Sequence, residues 1–310
     1  VANGEIVFFG TAAIGVPVLR ELRDHFRLAL IVSQPDSRGG RRRQEIVPAV
    51  KRFALENGLP LIQPPSLREP GLAEMIGRNR PLIAVVVAYG QFIPRAIYSL
   101  PRWNTINVHF SLLPAYRGAA PVQRAIENGD TMSGITIFEI NGRMDAGDVW
   151  SRREVAIDAG ETTASLQQRL GELAAPFLRQ TLEQIFAGKI RKEKQDDSLA
   201  TLAPAVSKDE GRVDWNLPAE RLVNRLRAFT PWPGLFFSMD GRQVKIIGAE
   251  CRKPSQSAAA GVILSLSEQG LEVGCGQGSA LILTAIQPAG KKPMTPGQYS
   301  LGNRFPARLQ

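Results

Sequence analysis

The sequence is poor in the residues that build metal and redox centres. Of its 310 residues only two are cysteine, Cys251 and Cys275, and only two are histidine, His25 and His109. The cysteines stand too far apart in sequence for a zinc ribbon or a redox motif and suit a reducing compartment. The histidine count excludes a histidine-rich centre, and no metal is expected. No apolar run reaches the ~18 residues a membrane helix needs; the run over 82–89 has the length of a buried strand. The first apolar strand is followed by Gly10 and Gly15 with no glycine between them, so the turn lacks the G-x-G-x-x-G of a dinucleotide site. That strand begins within a few residues of Val1, so no signal or transit peptide is expected and a cytoplasmic protein follows, with no membrane partner.

What is present is positive charge. The formal net charge is +9, which favours a polyanionic partner such as nucleic acid; a generally basic soluble protein is the alternative. The length calls for two domains, each with its own core.

The first of them alternates strands and helices. Strands are expected over 5–9, 28–33, 59–63, 82–88, 105–109, 134–139 and 149–157, and helices over 16–26, 48–58, 70–80, 120–128 and 162–184. That order predicts a doubly wound, mostly parallel Rossmann-like α/β sheet, with 82–88 a central strand covered on both faces. From 34 to 44 the chain carries Arg38, Arg41, Arg42 and Arg43 with two glycines and no apolar periodicity. This reads as a flexible basic loop, either solvated surface or a contact for nucleic-acid phosphate.

After the long helix the composition turns polar, and 190–205 reads as an interdomain linker between a catalytic domain over 1–189 and a smaller domain over 206–310. Beyond it a helix over 219–229 precedes five short apolar segments separated by turns, the spacing of an OB-like β-barrel. From residue 207 on, 13 Lys plus Arg face 8 Asp plus Glu, a net +5 on a third of the chain. The second domain is therefore the more basic one per residue.

The densest chemical signal is the run Asn107-Val108-His109-Phe110-Ser111-Leu112-Leu113-Pro114-Ala115-Tyr116-Arg117-Gly118-Ala119-Ala120-Pro121. Residues two apart on a strand share a face, so Asn107 and His109 point together near the carboxyl end of a sheet, where open α/β folds bind ligands. Taken alone, an Asn-x-His pair on a strand is more often a hydrogen-bonded structural pair than a catalytic one.

The wider run resembles the folate-dependent formyltransferases, as do Ala88-Tyr89-Gly90 and Asp145-Ala146-Gly147-Asp148. The runs Arg227-Ala228-Phe229-Thr230-Pro231-Trp232-Pro233-Gly234 and Gln287-Pro288-Ala289-Gly290-Lys291-Lys292-Pro293-Met294 are similar to the members that formylate methionyl-tRNA. The chain departs from the family after Gly10-Thr11, where Ala12, Ala13 and Ile14 replace the usual Pro, acidic residue and Phe. The basic loop is also richer in Arg than is usual.

The resemblance implies formyl transfer from 10-formyltetrahydrofolate to the amino group of methionine on initiator methionyl-tRNA, in translation initiation, by a monomer. It implies Asn107, His109 and Asp145 as the catalytic three. Ser111, Leu112, Leu113 and Pro114, with Val87, Tyr89 and Gly90, would contact folate. Arg38, Arg41, Arg42 and Arg43 would approach the acceptor stem, with Lys291 and Lys292 as further tRNA contacts or a solvated turn.

In that reading His109 is the base that keeps the amine neutral and Asn107 donates to the developing oxyanion. Asp145, from a neighbouring strand end, raises the His109 pKa or orders a water. Asp145 or Asp148 could instead cap a turn, and Trp232 between two prolines reads as a packing corner. Ser111 lacks the G-x-S-x-G elbow of a nucleophile. Two rival readings are a formyltransferase of a nucleotide sugar or small amine, and a nucleic-acid-binding protein with an idle α/β half.

Overall fold

The computed structural model describes residues 5–39, 44–239, 241–254, 256 and 259–309. The chain forms two compact units, one built from residues 1–121, 132–156 and 166–204, the other from 122–131, 157–165 and 205–310.

In the first unit the strands are β1 (Glu5–Gly10), β2 (Arg27–Val32), β3 (Ser37–Gly39), β4 (Gln44–Ile46), β5 (Leu61–Ile62), β6 (Ile83–Val87), β7 (Thr105–His109), β8 (Met132–Glu139) and β9 (Val149–Ala156). The helices are α1 (Val16–His25), α2 (Ala49–Glu56), α3 (Leu72–Arg78) and α4 (Arg95–Tyr98). Next come α5 (Pro121–Asn128), whose body groups with the second unit, and the long α6 (Thr163–Phe186), most of which belongs to the first. Seven strands form one sheet in the order β5-β2-β1-β6-β7-β8-β9.

Every pair from β5 to β7 is parallel, and the β7–β8 and β8–β9 pairs are antiparallel. The parallel part is where the sequence is most uniformly apolar: Ile83-Ala84-Val85-Val86-Val87 is buried throughout, as a strand covered on both faces must be. α1 buries Val18, Leu19 and Leu22, one face at helical spacing, with Arg23 and His25 in its last turn where cations suit the helix dipole. In α6 the buried residues Leu166, Leu170, Ala174, Leu178, Leu182 and Ile185 form one stripe.

The stretch read as a flexible basic loop is partly ordered. β3 and β4 form an antiparallel ladder, Ser37 opposite Ile46 and Arg38 opposite Glu45. Backbone pairing with a charged cross-strand partner overrides the missing apolar periodicity. Arg41, Arg42 and Arg43 lie outside the described residues.

The second unit holds α7 (Ala219–Ala228), β10 (Leu235–Met239), β11 (Arg242–Arg252), β12 (Ile263–Ser267), β13 (Gly270–Cys275), β14 (Ser279–Pro288) and α8 (Pro296–Ser300). Its five strands form an antiparallel sheet in the order β10-β11-β14-β13-β12. Leu222 and Leu226 of α7 are buried, as are Leu235 and Phe237 of β10 and Leu281 and Leu283 of β14, and Trp215 packs on Phe237 with ring centroids 6.0 Å apart. Among the described residues no helix is long and apolar enough to cross a membrane.

Candidate active site

At the carboxyl end of β6 the chain turns through Ala88 and Gly90, both at positive φ (45° and 85°). Two side chains pin this turn by donating to the Tyr89 carbonyl: Thr11 Oγ1 at 2.9 Å and Gln34 Nε2 at 2.6 Å. A Cβ on residue 90 would lie 2.7 Å from Gln34 Nε2, so glycine is needed both for the backbone angle and for this approach. Thr11, in the loop that departs from the family pattern, thus orders the next strand's exit.

β7 pairs with β6 through Val86 and Asn107, so Asn107 and His109 stand where the sequence places them, on one face at the carboxyl end. Both line a cavity of about 530 Å³ with Ala88, Tyr89, Gly90, Phe92, Met144 and Asp145. Asn107 is half-buried, and its amide makes no hydrogen bond to another side chain among the described residues. The Tyr89 side chain is packed into the hydrophobic core, its hydroxyl buried without a partner among the described residues, and burial pushes its pKa up to about 12.

Asp145 reaches this face by a different route from the one expected. Because β8 runs antiparallel to β7, it ends with Glu139 beside Ile106, near the start of β7. Asp145 therefore comes from the loop between β8 and β9, doubled back along the sheet. That loop is closed by a hydrogen bond from the Glu139 N–H to the Asp148 carbonyl (2.8 Å), and a Cβ on residue 147 would stand 1.6 Å from the Glu139 oxygen. Gly147 is therefore obligatory. Asp145 itself sits at φ 47° and does not cap its own turn: its Oδ2 accepts from the Gly118 N–H at 2.8 Å and lies 3.7 Å from His109 Nδ1.

His109 is buried. Its Nε2 lies 2.8 Å from the Tyr116 carbonyl, which can only accept, so Nε2 carries the proton and the neutral ring presents the Nδ1 lone pair on the Asp145 side. The sequence reading expects Asp145 to raise the His109 pKa. Asp145 does pull upward, but burial outweighs it and the net shift is downward. The imidazole is thus neutral and basic at neutral pH.

The other site expectations divide. Tyr89 and Gly90 line the cavity, whereas Val87 and Ser111, Leu112, Leu113 and Pro114 do not. Ser111 is buried and donates to the Ala115 carbonyl at 2.6 Å, and the Leu113 N–H donates to Thr136 Oγ1 at 3.1 Å, so this segment fixes the loop that carries Tyr116. In the second unit Lys291 and Lys292 are exposed in a turn closed by the Ile286–Met294 bridge. Trp232, read as a packing corner, is 57 % exposed.

Sequence reasoning missed the segment that backs the site. Arg117, only 8 % exposed, donates to Gln195 and to Asp197. Thr201 and Ala203 hydrogen-bond the backbone of residues 114–120. No local pattern announces these contacts, which join residues some 80 positions apart.

Comparison with known proteins places these features in a family. Residues 5–182 match the family model described as formyl transferase, and residues 205–304 match that of the formyl transferase C-terminal domain. Over 97 % of its length the chain is 39 % identical to the methionyl-tRNA formyltransferase of Citrifermentans bemidjiense, covering 94 % of that protein. It is 42 % identical to that of Pseudomonas paraeruginosa over 93 % of both chains. A crystal structure of an N-formyltransferase from Helicobacter canadensis in complex with folinic acid and dTDP-3-aminofucose superposes with a TM-score of 0.66 at 17 % identity, covering 91 % of this chain and 98 % of the other. The methionyl-tRNA formyltransferase from Clostridium thermocellum gives 0.57 at 14 % identity, covering 80 % and 93 %.

Proposed function

The chain belongs to the formyl transferase family, and from that premise we propose that it transfers a formyl group from 10-formyltetrahydrofolate to the amino group of methionine esterified to initiator tRNA. The acceptor follows the relatives that match over nearly the whole chain, all named for methionyl-tRNA. The observation that carries the chemistry is the convergence of Asn107, His109 and Asp145 on one cavity. A cavity of about 530 Å³ is of the size that holds a small-molecule ligand, and the Asn107 amide is a polar group suited to orient one. When bound, the folate supplies an activated formyl carbon. Tyr89 and Gly90 would hold it, with Val87 and the Ser111, Leu112, Leu113, Pro114 turn assigned on family resemblance.

An α-amino group titrates near ~8 and attacks only when neutral. His109 Nδ1 takes its proton. The imidazolium so formed has an acceptor for each N–H, the Tyr116 carbonyl at 2.8 Å and the Asp145 carboxylate 3.7 Å away, which closes up as charge develops. Asn107 donates to the formyl oxygen as it becomes negative, a contribution typically worth ~10²- to 10³-fold in rate. The imidazolium then returns its proton to the folate nitrogen, which leaves as its bond to the formyl carbon breaks, and no covalent bond to the protein is needed.

The catalytic domain is assigned to 1–189, the linker to 190–205 and tRNA binding to 206–310. Arg38, Arg41, Arg42 and Arg43, with Lys291 and Lys292, supply charge for phosphate. The test is to supply 10-formyltetrahydrofolate with methionyl-tRNA, free methionine or an amino sugar and follow release of the deformylated folate. Turnover with methionyl-tRNA alone supports the reading, and turnover with an amino sugar alone overturns it.

A further inference from the structure

We propose that Gln195 and Thr201, in the polar segment between α6 and the second unit, are positioning residues that set the two partners of His109. The inference rests on the catalytic assignment above, but the geometry concerns this chain's own atoms.

The segment over 190–205 is mostly polar, with Leu199 and Leu202 exposed, and it is tied to the first unit by hydrogen bonds along its length. The Glu193 N–H donates to the Val149 carbonyl at 2.8 Å, and the Glu193 carbonyl accepts from the Val149 N–H at 2.7 Å. Gln195 spends its whole amide. Nε2 donates to the carbonyls of Asp145 (2.9 Å) and Gly147 (2.7 Å), and Oε1 accepts from Arg117 Nε (3.1 Å) and Nη2 (2.7 Å). Four bonds saturate a carboxamide and fix which end is nitrogen. Two of them grip the loop on either side of Ala146, where Asp145 adopts a left-handed backbone that a residue with a Cβ rarely holds unaided.

Thr201 grips the other partner. Its Oγ1 accepts from the Tyr116 N–H at 2.8 Å, its carbonyl accepts from the Arg117 N–H at 2.8 Å, and its own N–H donates to the Pro114 carbonyl at 3.3 Å. Tyr116 is also left-handed, at φ 62°. Ala203 continues the contact: its N–H donates to the Arg117 carbonyl at 2.7 Å, and a Cβ on residue 118 would stand 2.6 Å from its oxygen. Gly118 therefore lets the strap close, and its N–H is the one that holds Asp145 Oδ2.

Both groups facing His109 thus depend on this segment, Tyr116 through Thr201 and Asp145 through Gln195. The neighbouring charges are already committed: Arg117 and Arg143 both donate to Asp197, and hold its carboxyl below the usual range. A purely structural tie would affect folding alone. A positioning role changes the environment of the imidazole, because Asp145 and the Tyr116 carbonyl both favour its protonated form.

The chain's two histidines make this readable without substrate. The ring signals of ¹⁵N-histidine-labelled protein are titrated by NMR, with His25→Asn assigning the exposed residue. The variants are Gln195→Met, which keeps length but neither donates nor adds charge, and Thr201→Val, with Thr201→Ser as the conservative restoration. The expected result is a His109 titration moved to lower pH in Gln195→Met and Thr201→Val. kcat should fall about tenfold or more with KM for tRNA within about twofold, and Thr201→Ser should return both to wild-type behaviour. A His109 titration and kcat unchanged in both variants overturns the proposal, as does a fall in kcat fully matched by loss of folded protein. Wild-type protein that fails to formylate methionyl-tRNA while the titration still shifts would sink the functional reading and leave the positioning result standing.

Discussion

His109 donates its Nε2 proton to the carbonyl of Tyr116, 2.8 Å away in a residue held at positive φ. That one bond decides which imidazole nitrogen can act as base. It leaves Nδ1 deprotonated and facing Asp145, and it gives the ring a partner for its second proton when the first arrives.

Replacing His109 with alanine lowers kcat by about 10²-fold or more with folding intact, the usual worth of a positioned general base. Steady-state kinetics alongside thermal melting checks this; near-normal turnover removes His109 from the mechanism.

The downward shift of the His109 pKa has a definite sign in activity. Protonating the base abolishes it, so kcat/KM falls on the acid side with a limb below the ordinary histidine value of about 6.5. Burial sets that direction and Asp145 opposes it, so Asp145→Asn moves the limb to still lower pH while reducing the maximum rate. A limb moved upward in the variant contradicts the assignment.

Asn107→Ala removes the proposed oxyanion donor, and the expected cost is ~10²- to 10³-fold in kcat. Folate affinity, measured by fluorescence titration, stays within about threefold, because the amide acts chiefly on charge that develops in the reaction. A loss confined to folate binding would make Asn107 a binding residue instead.

Gly147→Ala places a methyl 1.6 Å from the Glu139 oxygen in a loop closed by backbone bonds, so the loop must open. The expected cost is about 2 kcal/mol or more, read as a lower denaturant midpoint, with Asp145 displaced and activity lost. An unchanged midpoint would show that the loop has slack.

Changing Arg41, Arg42 and Arg43, or Lys291 and Lys292, to glutamine weakens tRNA binding and flattens its dependence on salt by about one unit of slope per lost phosphate contact. Folate affinity is spared. An identical slope returns those side chains to solvated surface.

The parallel core was legible because its strands are short continuous apolar runs, and Asn107 with His109 because strand periodicity fixes a shared face. The direction of β8 was not legible, since an apolar strand reads alike in either sense, and the route by which Asp145 arrives follows from that direction. The sign of the His109 shift was missed for a related reason: a neighbouring carboxylate can be read from a motif, whereas desolvation depends on everything packed around the ring. Gln195 and Thr201 carry no local signal at all, because their work is done by single hydrogen bonds across some 50 to 85 positions of sequence.

The most direct measurement of the central claim is single-turnover formyl transfer by wild-type protein and His109→Ala. Each is mixed with 10-formyltetrahydrofolate and either methionyl-tRNA, free methionine or a nucleotide-linked amino sugar. The account predicts rapid formylation of methionyl-tRNA by the wild type, none of comparable rate with the other acceptors, and a loss of about 10²-fold in the variant. Equal rates for wild type and His109→Ala, or faster transfer to the amino sugar, would contradict it.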